Sequence, residues 1–232
     1  MAATAVGAAG VLAFKRVNSE LWTAVVAFCA GMMAFSTLEM INESHTLSGH
    51  RVAFASFLVG MAVFSVLDKL LPHAHMALLG TEMPDAKRKV ALLVGTITVH
   101  NIPEGFAIAS AFASSSGLGW LVAMSIALQD IPEGLIVAAP VACYGVALHR
   151  AFLWGVFSGW VEFAAAIGGF LLLRAVSGAT PLALGFSAGA MTYVIFFELL
   201  PDAMRDGNRR EALAVFIAGV ALAYWFSTRL GF

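Results

Sequence analysis

The chain has 232 residues, of which 60% are hydrophobic and only 12% are charged. Soluble domains typically carry about 25% charged residues, so this composition excludes a soluble globular protein and predicts an integral membrane protein. The formal net charge of −1 points to no particular partner apart from the lipid bilayer, and we expect no nucleic-acid ligand.

Eight apolar segments follow one another, which predicts a single all-α domain, residues 1–232, built as a bundle of eight transmembrane helices. At about 20 residues per span, eight helices with short loops account for the whole length. The predicted spans are 1–14, 21–42, 51–71, 88–113, 118–144, 150–174, 181–203 and 210–229. The first is too short for a hydrocarbon core of about 30 Å, so either it is truncated or it packs as a partial span. The longest predicted loop is 72–87, between helices three and four.

Positive charges are distributed unevenly between the two sides of the predicted bundle. Ten of the 13 Lys and Arg residues fall on one side and three on the other. Because Lys- and Arg-rich loops stay in the cytoplasm, the loops after helices one, three, five and seven are predicted to be cytoplasmic. Both termini are then predicted to lie outside.

A six-residue motif occurs twice, in neighbouring apolar segments. Residues 100–105 read His-Asn-Ile-Pro-Glu-Gly, and residues 129–134 read Gln-Asp-Ile-Pro-Glu-Gly. An ionisable group at the centre of a membrane helix costs at least ~2.5–3.5 kcal/mol, so such groups are rare and usually functional. The repetition predicts a metal site in a transport path.

The spacing within the motif places its polar side chains on one face of a helix. At about 100° per residue, Glu104 lies between His100 and Asn101. The same geometry recurs in the second copy, formed by Gln129, Asp130 and Glu133. One glutamate in each helix could therefore bridge two ions, and two opposed faces would form a two-centre metal site with shared glutamates.

Each copy also contains a proline and a glycine. Pro103 and Pro132 have no N–H, so each helix is expected to kink and the carbonyl four residues earlier loses its helical partner. At this depth such a carbonyl must be satisfied by protein or water. Gly105 and Gly134 allow another helix to approach closely.

The ligand types restrict the ion. Cys29 and Cys143 lie in apolar segments without a CxxC pair, and we interpret both as packing residues rather than a disulfide. A mixed nitrogen and oxygen site without thiolate fits Zn²⁺, Fe²⁺, Mn²⁺ or Cd²⁺. A single His-x-x-x-Glu would be explained equally well by a polar pair holding the bundle together, and the duplication favours the metal.

Other residues in or beside the apolar segments could line the same path. They are Glu39, Asp68, His73, His75, Glu162 and Glu198. The alternative for the carboxylates is a structural role, and for the two histidines an ordinary solvated loop. Met33 could add a soft thioether ligand, although ten methionines in an apolar chain make packing the default.

At these residues the chain resembles the ZIP (Zrt/Irt-like) family of divalent-metal transporters. The His-Asn-x-Pro-Glu-Gly motif of helix four is highly specific to that family, and the Leu-Asp-Lys-Leu-Leu-Pro-His ending of helix three matches it as well. The second motif, with Gln129 and Asp130, looks like the GufA-like bacterial branch. The expected location is therefore the bacterial inner membrane.

The resemblance implies a binuclear site that passes divalent metal into the cytoplasm, zinc first and also cadmium, iron or manganese. One centre would have the ligands Met33, His100, Glu104, Gln129 and Glu133. The other would have Asn101, Glu104, Asp130, Glu133 and Glu162. Glu198 matches a glutamate of helix seven, whereas Phe197 stands where the family often has a histidine.

An intramembrane metal-dependent enzyme is the alternative from another functional class. Hydrolytic metal sites keep three protein ligands and an open position, often in a His-Glu-x-x-His motif, which this sequence lacks. We therefore predict a transporter and no enzymatic activity. The oligomeric state is left open, with a homodimer as one option.

Overall fold

The computed structural model describes residues 1–12, 19–79, 85–143, 145–204 and 209–230, and all regular structure in these ranges is helical. The helices are α1 Ala2–Ala9, α2 Ser19–Ser48, α3 His50–Leu79, α4 Asp85–Ser114, α5 Ser116–Cys143, α6 Leu148–Ala175, α7 Thr180–Val194 and α8 Arg209–Leu230. A 3-10 turn, Gly10–Leu12, extends α1. A π-helical turn, Ile195–Leu199, extends α7 into a last α-helical turn, Leu200–Ala203.

The outer surface of the bundle is apolar, as expected for helices that face lipid. Phe54, Val59, Leu153 and Leu171 are all more than half exposed. Apart from the short apolar stretch Ala2–Leu12, six stretches among the described residues are long and apolar enough to cross a membrane: Thr23–Ser48, His50–Leu70, Ser116–Cys143, Leu148–Ala175, Thr180–Leu199 and Arg209–Arg229. The predicted all-α membrane bundle is confirmed.

The loop predicted at residues 72–87 is wrong in its extent. Helix α3 continues through Pro72 to Leu79, and α4 already begins at Asp85. Hydropathy marks where a helix leaves the apolar layer, whereas the helix itself can continue into water. The 30 residues of α3 extend about 45 Å, beyond a hydrocarbon core of about 30 Å. The side chains of His73 and His75 lie outside the described part of the chain.

The first helix is a partial span that packs against α5 and α6. Its 11 residues from Ala2 to Leu12 cover about 16 Å, roughly half of the hydrocarbon thickness. Gly155 and Gly159 of α6 face Ala8 and Thr4 of α1, with no room for a methyl group. This pair of small residues therefore serves close helix packing.

The helices form two groups that meet at an apolar seam. Helices α1, α4, α5 and α6 pack on one another, and α2 packs with α7 and α8 while α3 packs with α7. The largest buried cluster includes Met40 of α2, Leu121 and Ile126 of α5, and Leu184 of α7. Ser36 and Ser125 join α2 to α5 by a buried hydrogen bond of 2.7 Å. The two motif helices thus face the other group across this seam.

Gly105 and Gly134 lie where the motif helices meet their neighbours. A methyl group at Gly105 would collide with the backbone carbonyl of Glu162 in α6. At Gly134 it would collide with the backbone carbonyl of Thr4 in α1. The predicted close approach is therefore confirmed at both glycines, and it brings α1 and α6 next to the motif side chains.

Substitution of Gly105 tests this close approach. We expect Gly105→Ala to lower stability by about 1–3 kcal/mol, since the added methyl group must push α4 and α6 apart. In Gly168→Ala, the same change on α6, the methyl group would find nothing within 4 Å, so stability should be unchanged or slightly raised. The measurement is the midpoint of thermal unfolding in detergent. Equal midpoints for the two variants would contradict the tight packing.

Candidate metal centre

The two copies of the motif meet in the interior of the bundle. Helix α4 continues through Pro103, and α5 continues through Pro132. The amide Nε2 of Gln129 donates a hydrogen bond to Oε1 of Glu104 across the interface. Ligand oxygens of Glu104, Asp130 and Glu133 lie within 4.8 Å of one another. The fold thus brings both glutamates to one place.

Buried oxygen atoms without a hydrogen-bond partner concentrate at this place. In the part of the chain that the structure describes, six buried side-chain atoms have no partner. Five of them belong to predicted site residues: Asn101 Oδ1, Glu104 Oε2, Gln129 Oε1, Glu133 Oε1 and Glu198 Oε1. A buried polar atom left unpaired costs about 1–3 kcal/mol. All five are acceptors, which is the atom type that binds a hard or borderline cation.

The amide of Asn101 is oriented by helix α6. Its Nδ2 donates to the backbone oxygen and to Oγ of Ser158, both at 2.8 Å. The residue is 1% exposed, and its Oδ1 is left without a donor. With both amide hydrogens engaged by Ser158, the carbonyl oxygen is the free end of the side chain.

A cavity of about 90 Å³ lies beside the two glutamates. Its lining includes His100, Glu104, Gln129 and Glu133. From helix α2 it is lined by Cys29 and Val26 rather than by Met33. Met33 is fully buried in the apolar cluster, so the thioether ligand stays a prediction.

Cys29, interpreted from the sequence as a packing residue, contacts the backbone of α5. The thiol Sγ lies 4.0 Å from the carbonyl oxygen of Leu128, the group that Pro132 deprives of its helical partner. The requirement that protein satisfies this carbonyl is thus met in part by a side chain from another helix. No sequence signal in α2 indicates this contact, because it depends on how α2 packs against α5.

Asp130 and Glu162 lie next to each other at the start of α1, each within 4 Å of the nitrogen of Met1. The terminal ammonium of Met1 donates a hydrogen bond to Glu162 Oε2 at 2.8 Å, and its nitrogen lies 3.6 Å from Asp130 Oδ2. Thr4 Oγ1 donates to the same oxygen of Asp130 at 3.2 Å. The two carboxylates, 3% and 6% exposed, therefore lie close enough to hold one positive charge between them.

A second group of possible ligands lies next to the first. Ligand atoms of Asp68, His100 and Glu198 lie within 4.8 Å of one another, and His100 Nε2 is 2.8 Å from Glu198 Oε2. The hydroxyl of Tyr193 donates to Asp68 Oδ2 at 3.0 Å. Phe197 stacks on Tyr193, with ring centroids 4.8 Å apart. His100 also lines the cavity of the motif glutamates, so it lies between both groups.

The structure does not bring Glu39 to either group. It lies half-buried on α2, one turn before Glu43, which accepts a hydrogen bond from Ser114 Oγ. Among the described residues, the two groups of metal-ligating side chains contain neither glutamate. The predicted role of Glu39 in the transport path therefore stays a prediction.

Long apolar helices that enclose buried carboxylates, an imidazole and amide oxygens define a multi-pass membrane protein with a polar interior. A family model described as ZIP Zinc transporter matches residues 80–226. The chain therefore belongs to the ZIP family.

Four relatives are similar over most of the chain, and each is called a zinc transporter or a putative zinc transporter. Zinc transporter ZIPB of Bordetella bronchiseptica is 35% identical over 99% of this chain and 78% of its own length. Zinc transporter GufA of Myxococcus xanthus is 35% identical over 87% of this chain and 83% of its own length. Zinc transporter ZupT of Stenotrophomonas maltophilia is 34% identical over 94% of this chain and 88% of its own length. A relative from Arabidopsis thaliana is 29% identical, and the chain covers 32% of its length.

Proposed function

We propose that this chain transports divalent metal cations, zinc first, into the cytoplasm through the cluster formed by the two motif copies. The observation that carries the proposal is the group of buried acceptor oxygens without donors on Asn101, Glu104, Gln129 and Glu133. Carboxylates this close together repel one another unless a cation or a proton lies between them. The family membership and the names of the relatives support the same function.

The donor set favours an ion that binds reversibly. Oxygen ligands with a single imidazole suit Zn²⁺, and also Cd²⁺, Fe²⁺ or Mn²⁺, without the tight grip of an all-thiolate site. The cavity of about 90 Å³ exceeds the share of about 30 Å³ that one water takes in the liquid, so an ion fits with a retained water. Glu104 and Glu133 are the proposed bridging ligands of a two-centre site.

The second group of ligands supplies the next step of the path. His100 lines the cavity and also contacts Glu198, so we propose that it passes an ion from the motif glutamates to Asp68 and Glu198. We place this group on the cytoplasmic side of the site. Access from alternate sides would follow from movement of the two helix groups along their apolar seam.

Uptake into proteoliposomes tests the function. The purified chain should carry Zn²⁺ and Cd²⁺ into vesicles, and unlabelled Zn²⁺, Cd²⁺, Fe²⁺ or Mn²⁺ should compete while Mg²⁺ should not. Protein-free vesicles and vesicles with Glu133→Ala are the controls. Uptake by the wild type that matches the protein-free vesicles for all of these ions would contradict the proposal.

Thiol labelling tests the orientation in the bacterial inner membrane. The loop between α5 and α6 is proposed to be cytoplasmic, and the loop between α6 and α7 external. With Cys29 and Cys143 replaced, Ser177→Cys should react with an impermeant thiol reagent in intact cells, whereas Ala147→Cys should react only after permeabilisation. Both positions are exposed, so a difference reports the side of the membrane. The reverse pattern would invert the topology and the direction of the path.

A further inference from the structure

Cys29 lies at the wall of the cavity that the motif glutamates line. The residue is only 4% exposed and lines the cavity from α2, whereas the other polar lining residues belong to α4 and α5. A cysteine that serves packing alone is expected among apolar side chains. Met33, one turn further along the same helix, lies in the apolar cluster, whereas the cavity at Cys29 has polar as well as apolar walls.

The polar atoms around this cavity indicate a bound cation rather than a structural network. Glu104 Oε2, Gln129 Oε1 and Glu133 Oε1 are buried and have no hydrogen-bond donor among the described residues. Glu104 is 3% exposed and Gln129 is 6% exposed. These acceptors line the same small space as the Cys29 side chain. Among the described residues, the ligand atoms of Glu104, Asp130 and Glu133 that lie within 4.8 Å of one another do not include Cys29 Sγ. The sulfur therefore reaches an ion held by the glutamates only after a change of the Cys29 rotamer.

The contact that Cys29 makes is weak. Its Sγ is 4.0 Å from the carbonyl oxygen of Leu128, at the limit of a hydrogen bond that involves sulfur. A thiol is a poor donor, so little stabilisation is lost when the sulfur turns from this carbonyl to a metal ion.

We propose that the sulfur of Cys29 is a soft ligand that makes the site prefer Zn²⁺ and Cd²⁺ over Mn²⁺ and Fe²⁺. Thiolate ligands select soft and borderline ions, whereas carboxylate and amide oxygens bind hard ions as well. The ion takes the place of the thiol proton, which passes to water in the cavity. This inference rests on the proposed function of the same site, and it adds the residue that sets the ion preference.

Spectroscopy of the purified protein tests the ligand without transport. Titration with Cd²⁺ should produce the ultraviolet charge-transfer absorption of a sulfur–cadmium bond in the wild type and in Cys143→Ser, which keeps Cys29. The band should be lost in Cys29→Ser and in Cys29→Ala, with thermal unfolding showing that both variants are folded. A band that persists in folded Cys29→Ala would overturn the proposal.

Competition between ions tests the preference. With both ions supplied outside the vesicles, the ratio of Cd²⁺ to Mn²⁺ uptake should fall at least about tenfold in Cys29→Ser relative to the wild type. Cys143→Ser should keep the ratio of the wild type. An unchanged ratio in a Cys29→Ser protein that still transports metal would overturn the proposal that Cys29 is a ligand, but not the proposed transport function. Absence of all metal uptake by the wild type would instead contradict the proposed function.

Discussion

Replacement of Glu104 or Glu133 by glutamine is expected to reduce metal uptake by more than about 100-fold. Glutamine keeps the size of the side chain but removes the charge, and each of these glutamates is proposed to bridge both centres. Loss of an outer partner of a metal ligand already costs about 10–100-fold in affinity, so loss of a shared ligand should cost at least as much. The measurement is the initial rate of Zn²⁺ or Cd²⁺ uptake into vesicles with matched protein content.

Two comparisons make this prediction specific. Asn101→Ala and Glu162→Gln each affect only one proposed centre, so we expect uptake to fall less, by about tenfold. Glu211→Gln makes the same chemical change at an exposed position in the first turn of α8 and should leave uptake unchanged. Wild-type rates in Glu133→Gln would show that the carboxylate does not bind the ion.

Replacement of His100 by alanine should also reduce uptake strongly, by about 10–100-fold. The imidazole lines the cavity of the motif glutamates and lies 2.8 Å from Glu198, so its loss removes the link between the two groups of ligands. Glu198→Ala removes a ligand from the second group only and should have the smaller effect.

The double variant shows whether the two residues act together. The effects of substitutions at contacting residues are not additive. Metal uptake by the double variant, His100→Ala with Glu198→Ala, should therefore be only slightly lower than uptake by His100→Ala alone. His149→Ala, at an exposed position near the start of α6, is the control for loss of a histidine. Effects that multiply in the double variant would mean that His100 and Glu198 serve separate steps.

Features within one helix could be predicted from the sequence. The spacing of the motif indicates that Glu104 lies on the face shared with His100 and Asn101, because a helix fixes the angle between its own side chains. The same reasoning applies to Gly105 and Gly134, where a missing side chain indicates a close neighbour. Length and hydropathy likewise identify the helices themselves, since the membrane fixes both.

Features that depend on contacts between helices could not be predicted in this way. The pair of His100 and Glu198 joins α4 to α7, and the position of Cys29 at the cavity depends on how α2 packs against α5. A thiol in an apolar segment has the same sequence signature whether it packs or binds an ion. The end of α3 was missed for another reason, since hydropathy reports the thickness of lipid and not the length of a helix.

The π-helical turn Ile195–Leu199 makes the position of Glu198 sensitive to chain length rather than to side-chain identity. A π-helical turn is equivalent to an α-helix that has gained one residue. Loss of one residue, for instance Phe196, would restore the regular helix. The residues before the deletion and those after it would then be rotated by about 100° relative to one another about the helix axis. Small insertions and deletions in this segment therefore offer evolution a way to turn a ligand toward the path or away from it, without a change in the ligands themselves.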